Sequence, residues 1–205
     1  MNRREFILKG LKFGGALAVG GGLYSALSSM MGLGEKVCHA YDYTLFTSNL
    51  PVVENHFSFS SLSYRSLTDA LIVHHTASTA DLTAADVHRI HRQNGWSGIG
   101  YHMFIRKDGL IETGRPLDDV GAHTYGYNND TIGICLSGNF EVEYPTDAQI
   151  QSASKLISLL CSLYNLNPNS GSIYGHRDFN ATACPGNNLY ADLPNLREFA
   201  ANHLG

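Results

Sequence analysis

Beyond residue 40 the chain has no cluster of lysine and arginine. The first 40 residues hold five basic side chains (Arg3, Arg4, Lys9, Lys12, Lys36) against two acidic ones (Glu5, Glu35), so the net −4 of the 205-residue chain becomes −7 past that point. Such a surface repels polyphosphate and cannot supply the counterion release that drives nucleic-acid binding, so no nucleic-acid partner is expected. Internal repeats and low-complexity tracts are also lacking, which leaves one domain of ordinary size with an N-terminal extension. Cysteine is scarce at four residues, and the pattern is no disulfide framework. Cys135 lies inside the apolar run Ile132-Gly133-Ile134-Cys135-Leu136 and Cys161 on the apolar stripe of a helix, so both read as small core residues. Cys184 remains as the informative one. The 43% hydrophobic content is enough for a real core.

The N-terminus, Asn2-Arg3-Arg4-Glu5-Phe6-Ile7-Leu8-Lys9, leads into an uncharged apolar run from Phe13 to about Gly34. This resembles a twin-arginine export signal. A single membrane-anchoring helix is the alternative, since the run is about long enough to span a bilayer. Seven glycines between residues 14 and 34 lower its helix propensity, which suits a removable signal better. Residues 1–40 are therefore expected to act as a signal, with Ala40 as the cut, and to deliver the protein to the periplasm or cell surface. Membrane contact is expected only through this segment, if it is retained.

Residues 41–69, rich in Ser, Tyr and Phe, read as an irregular lead-in to a domain over 70–205. Ala70-Leu71-Ile72-Val73 is apolar on both faces, the mark of a buried strand, and delivers His74 and His75 at its end. Thr83 and Asp86 open a helix that Gly95 closes. Tyr101 to Ile105 and Leu110 to Thr113 flank an Asp108-Gly109 turn and predict a hairpin. Thr131 to Leu136 reads as another buried strand. Thr146 and Gln149 form a capping-box signature for a helix to about Leu163, and a last helix is expected over Leu193 to His203. This alternation predicts an α/β domain with a mixed central sheet flanked by helices.

The sharpest chemical signal is Gly175-His176-Arg177-Asp178 followed by Thr182-Ala183-Cys184-Pro185-Gly186, an imidazole and a thiol on a Gly/Pro-punctuated loop. With a histidine from an earlier strand end they would make a His₂Cys set with a fourth position open, the catalytic rather than structural zinc arrangement. A lone His and Cys at this spacing are more often a core histidine and a buried thiol. The other segments decide between these readings.

Five stretches in order, Ile72-Val73-His74-His75-Thr76, His91 through Gly95-Trp96, Gly100-Tyr101-His102 with Arg106-Lys107-Asp108-Gly109, Gly121-Ala122-His123-Thr124-Tyr125-Gly126-Tyr127-Asn128, and His176 to Cys184, resemble the zinc-dependent N-acetylmuramoyl-L-alanine amidases. That family is shared by peptidoglycan recognition proteins and amidase-type phage lysozymes. The resemblance, over about residues 70–190, implies the recognition-protein-like amidase fold, one Zn²⁺ per chain on His74, His176 and Cys184, and peptidoglycan or muropeptides as partner. It implies Tyr101, with Thr182, as the groups that stabilise the oxyanion, and His75, His91, His123 and Asn128 as groove residues that meet substrate. Phage-type members have Lys where this chain has Thr182, as the recognition branch often does, so the sharing of charge stabilisation differs. His88 and His102 are read as packing or solvated residues and Trp96 as a core anchor. Two alternatives stand beside the enzyme: a non-catalytic peptidoglycan-binding module, and a structural zinc domain with a closed four-ligand shell.

Overall fold

The computed structural model describes residue 50 and residues 52–203. The export-type segment 1–40, its expected cut at Ala40, Cys38 and the start of the lead-in lie outside the described residues. Six strands form one mixed sheet: β1 (Val52–Val53), β2 (Ala70–His75), β3 (Met103–Ile105), β4 (Ile111–Thr113), β5 (Thr131–Leu136) and β6 (Ile173–Gly175). Their order is β1-β4-β3-β5-β2-β6. Only β3 and β4 run antiparallel; every other pair is parallel. Three helices flank it, α1 (Ala84–Gln93), α2 (Asp147–Tyr164) and α3 (Asn187–Asn202), with a 3₁₀ turn at His176–Asp178.

Strand parity divides the sheet into two cores. Leu71, Val73, Met103, Ile105, Ile132, Ile134 and Leu136 face α2 and α3, where they meet Leu156, Leu160, Cys161, Leu189 and Leu193. Phe104 and Cys135 face the other way, toward Ala84 and Val87 of α1 and the ring of Tyr101. Because side chains alternate along a strand, β2 sends His74 to the α1 side and His75 to the α2–α3 side. His75 stays in the ladder, opposite Leu136, so β2 runs two residues past Val73.

Both long-expected helix starts carry full capping boxes, Thr83 with Asp86 and Thr146 with Gln149. The start of α1 is also tied to the sheet: buried Glu112 on β4 accepts the Ala84 N–H at 2.6 Å, satisfying a first-turn donor with a side-chain oxygen. The β3–β4 turn places Gly109 at φ 83°, where a Cβ would stand 2.8 Å from the Ala148 carbonyl. α3 starts six residues before the expected Leu193, because the helix continues through Pro194. Cys135, Cys161 and Cys184 are all free thiols. Among the described residues no helix is long and apolar enough to cross a membrane.

Candidate active site

Two neighbouring parallel strands end together and set the site. β2 pairs with β6 so that Val73 stands opposite Gly175. The next residues, His74 and His176, therefore emerge side by side with ring centroids 4.6 Å apart. Cys184 arrives on the loop that follows the 3₁₀ turn, its Sγ 3.6 Å from His74 Nδ1. Arg177 holds that loop: its N–H donates to the Cys184 carbonyl at 2.9 Å, and its guanidinium bonds Asn187 Oδ1 at 2.7 Å and the Ala183 carbonyl and pairs with Glu141 at 3.2 Å.

The donor atoms of His74, His176 and Cys184 all lie within 4.8 Å of one another. In a tetrahedral zinc shell a nitrogen and a sulfur ligand stand roughly 3.6 Å apart, which the His74–Cys184 separation matches. The donor set is the one zinc prefers, and it leaves one coordination position to be filled from outside. Each donor residue is fixed by a further hydrogen bond. His176 Nε2 meets Asn180 Oδ1 at 3.0 Å, the His75 N–H points at Cys184 Sγ at 3.5 Å, and His74 Nε2 meets His123 Nδ1 at 3.1 Å.

Burial sets the protonation states. It holds His74 well below the ordinary histidine value, with the neighbouring His123 and His176 adding to the effect. It lowers His176 as well, so both imidazoles are neutral lone-pair donors at pH 7. Burial also pushes the Cys184 thiol up to about 12, against a smaller opposing pull from the His75 N–H and Arg177. Such a thiol is no free nucleophile at neutral pH, and it becomes a thiolate only with a cation beside it.

His102 belongs to the scaffold. Fully buried, it accepts the Gly133 N–H on Nδ1 at 3.0 Å and donates from Nε2 to the Asp119 carbonyl at 2.9 Å. Burial lowers its pKa well below the ordinary value, as for His74 and His123. A depressed folded-state pKa means that the neutral ring stabilises the fold above the unfolded value of about 6.5 and that this contribution is lost as pH falls below it. The metal-free protein should therefore lose about 1 kcal/mol per such histidine between pH 7 and pH 5.5. Urea unfolding at the two pH values measures this, and equal stabilities would contradict the buried neutral rings.

Tyr101 lies beside the donor cluster, its ring centroid 5.1 Å from that of His74. Burial, followed by the neighbouring Cys135 and Cys184, raises its hydroxyl well above the usual phenol range, so it stays a hydrogen-bond donor. From Tyr101 an aromatic ladder runs outward through His91 (5.6 Å) to Trp96 (4.5 Å from His91). His91 Nδ1 accepts the Gly100 N–H at 3.0 Å. Trp96, expected in the core, is 46% exposed; it follows the end of α1 and caps His91 instead of entering the interior. Beyond the cluster Tyr127 packs on Phe179 at 4.4 Å, and Tyr125 is exposed.

The remaining residues singled out in the sequence are placed differently. His75 is buried on the opposite face of β2, its Nδ1 accepting the Phe140 N–H at 3.2 Å while its ring stacks on Phe140, so it is not brought to the cleft. Asn128 turns its Oδ1 inward to accept the His123 and Thr124 N–H groups at 2.8 and 2.9 Å. Thr182 is exposed, and its Oγ1 accepts the Cys184 N–H at 3.2 Å. Sequence reasoning passed over Thr124, whose Oγ1 is 2.9 Å from His123 Nδ1. It also passed over Asn180, although that residue sits four positions after His176 on the same loop.

Comparison with known proteins agrees with this geometry. The N-acetylmuramoyl-L-alanine amidase family (amidase type 2) matches residues 64–187. The endolysin of Enterobacteria phage T3 is 34% identical over 134 residues, spanning 61% of this chain and 85% of the endolysin. Among solved structures, the N-acetylmuramoyl-L-alanine amidase LysC from Clostridium intestinale superposes with a TM-score of 0.65 at 38% identity, covering 70% of this chain and 95% of LysC. A point mutant of Drosophila PGRP-LB in complex with tracheal cytotoxin gives 0.63 at 27% identity, covering 69% of this chain and 92% of that one. With more than half of its length matched by the family, and with the recognition-protein-like sheet around the His74, His176 and Cys184 cluster, the chain belongs to the N-acetylmuramoyl-L-alanine amidases of type 2.

Proposed function

We propose that the protein is a zinc-dependent N-acetylmuramoyl-L-alanine amidase that hydrolyses the amide between the lactyl group of N-acetylmuramic acid and L-alanine in peptidoglycan or muropeptides. The observation that carries this reading is the intact trio of two neutral imidazoles and one thiol, within 4.8 Å of one another beside a protonated tyrosine. His74, His176 and Cys184 would hold one zinc ion, which when bound supplies Lewis acidity toward water and the amide carbonyl.

The chain supplies the rest. Tyr101 donates a hydrogen bond to the carbonyl oxygen as it gains negative charge, from a site where burial makes such a donor stronger than in water. Thr182, on the loop of Cys184, offers a hydroxyl from the solvent side. His91 and Trp96 border the cleft where amides and hydroxyls of the substrate need partners and a flat apolar surface. Export through residues 1–40 to the periplasm or cell surface is part of the same proposal.

Release of L-alanine amino termini from purified peptidoglycan tests it, with protein as isolated, stripped by a chelator, and resupplied with zinc. Cleavage lost on stripping and restored by about one zinc per chain is the expected outcome. Wall fragments bound without cleavage at full zinc loading would instead assign the protein to the non-catalytic binding modules.

A further inference from the structure

His123 resembles a groove residue in sequence, yet its ring is only 8% exposed and lies behind His74. Its Nδ1 stands 3.1 Å from His74 Nε2 and 2.9 Å from Thr124 Oγ1. His74 turns Nδ1 toward Cys184, so a metal on that nitrogen leaves the His74 proton on Nε2. That proton can only be donated, and His123 Nδ1 at 3.1 Å is the nearer acceptor, ahead of Thr124 Oγ1 at 3.4 Å.

The ring is held from both sides. A Cβ on Gly121 would come 2.5 Å from His123 Cδ2, and one on Gly133 would come 2.5 Å from its Cγ. One glycine is on the loop and the other on β5, so the slot for the imidazole is cut by two separate parts of the fold. Asn128 fixes the backbone through the His123 and Thr124 N–H groups. His102 closes the remaining edge, its ring centroid 5.5 Å away.

We infer that His123 is a positioning residue: by accepting the His74 Nε2 proton from a slot shaped by Gly121 and Gly133, it fixes the tautomer and orientation in which His74 ligates zinc. Ligating histidines commonly donate this proton to a carboxylate or carbonyl. Here a neutral imidazole does the work, which keeps a second negative charge out of a pocket that already receives the Cys184 thiolate. The inference rests on the zinc reading above.

The test uses the purified full chain in three forms: wild type, His123→Phe and His123→Asn. Phenylalanine fills the slot without an acceptor, whereas Asn presents Oδ1 at the position of Nδ1. Zinc affinity by competition with a chromophoric chelator should fall about 10–100-fold in His123→Phe. It should stay within about threefold of wild type in His123→Asn, with KM for peptidoglycan fragments unchanged in both. Thermal unfolding of the metal-free proteins by circular dichroism separates this from a folding defect. Should His123→Phe fail to fold, Gly133→Ala replaces it, since it displaces the imidazole without removing it and should weaken zinc comparably. Wild-type zinc affinity in the variant that folds, or a raised KM with unchanged zinc affinity, overturns the inference and returns His123 to the substrate. A wild type that takes up no zinc overturns the zinc reading itself, and this one with it.

Discussion

Cys184→Ser should leave a folded protein that carries almost no zinc and cleaves peptidoglycan at least about a thousandfold more slowly, because the change removes one of three ligands and not merely a supporting hydrogen bond. The fold should survive. Serine is nearly isosteric, and the loop is held by the Arg177 contacts to the Cys184 and Ala183 carbonyls, Asn187 and Glu141, none of which uses the sulfur. Zinc content by elemental analysis, set beside the circular dichroism spectrum, reads both halves of the expectation. A variant with full zinc and normal turnover would mean that Cys184 is not a ligand.

Tyr101→Phe is expected to act on the rate rather than on the metal. The ring contacts to His74 and His91 survive the change; only the hydroxyl goes. Removing one donor to a developing oxyanion costs about 10²–10³ in kcat, while zinc affinity and KM should stay close to wild type. Steady-state kinetics on a defined muropeptide separate the two constants. A rise in KM at unchanged kcat would make Tyr101 a binding group and remove it from the reaction.

Local patterns in the sequence were enough for most of the scaffold. The two capping boxes announced α1 and α2, the Asp108-Gly109 turn announced the hairpin, and the uninterrupted apolar run announced β5 from Thr131 to Leu136. Where reading failed, the cause was non-local. Two histidines look like the end of a strand, but β2 continues through them because Cys135 and Leu136 stand ready as ladder partners. Pro194 looks like the start of a helix, and it hid the first two turns of α3. Trp96 looks like a core residue until the fold seats it on His91.

The candidate site divides the same way. His74, His176 and Cys184 sit in recognisable motifs, and the structure brings their donors together. Their supports are not visible in any one motif. The partnership of His123 with His74 requires a loop and a strand to meet at Gly121 and Gly133, and Asn180 gains its role only once the 3₁₀ turn bends the chain back toward His176.

The strand order carries a consequence for how the protein matures. β6 leaves the ribosome after the other five strands of the sheet, yet its partner β2 lies about 100 residues earlier in the chain. A chain stalled before Ile173 therefore owns one donor residue of the three and has an open edge where β2 should be covered. The trio of His74, His176 and Cys184 is thus assembled only once β6 and the loop that follows it have docked against strands formed long before them, so its completion reports a closed sheet.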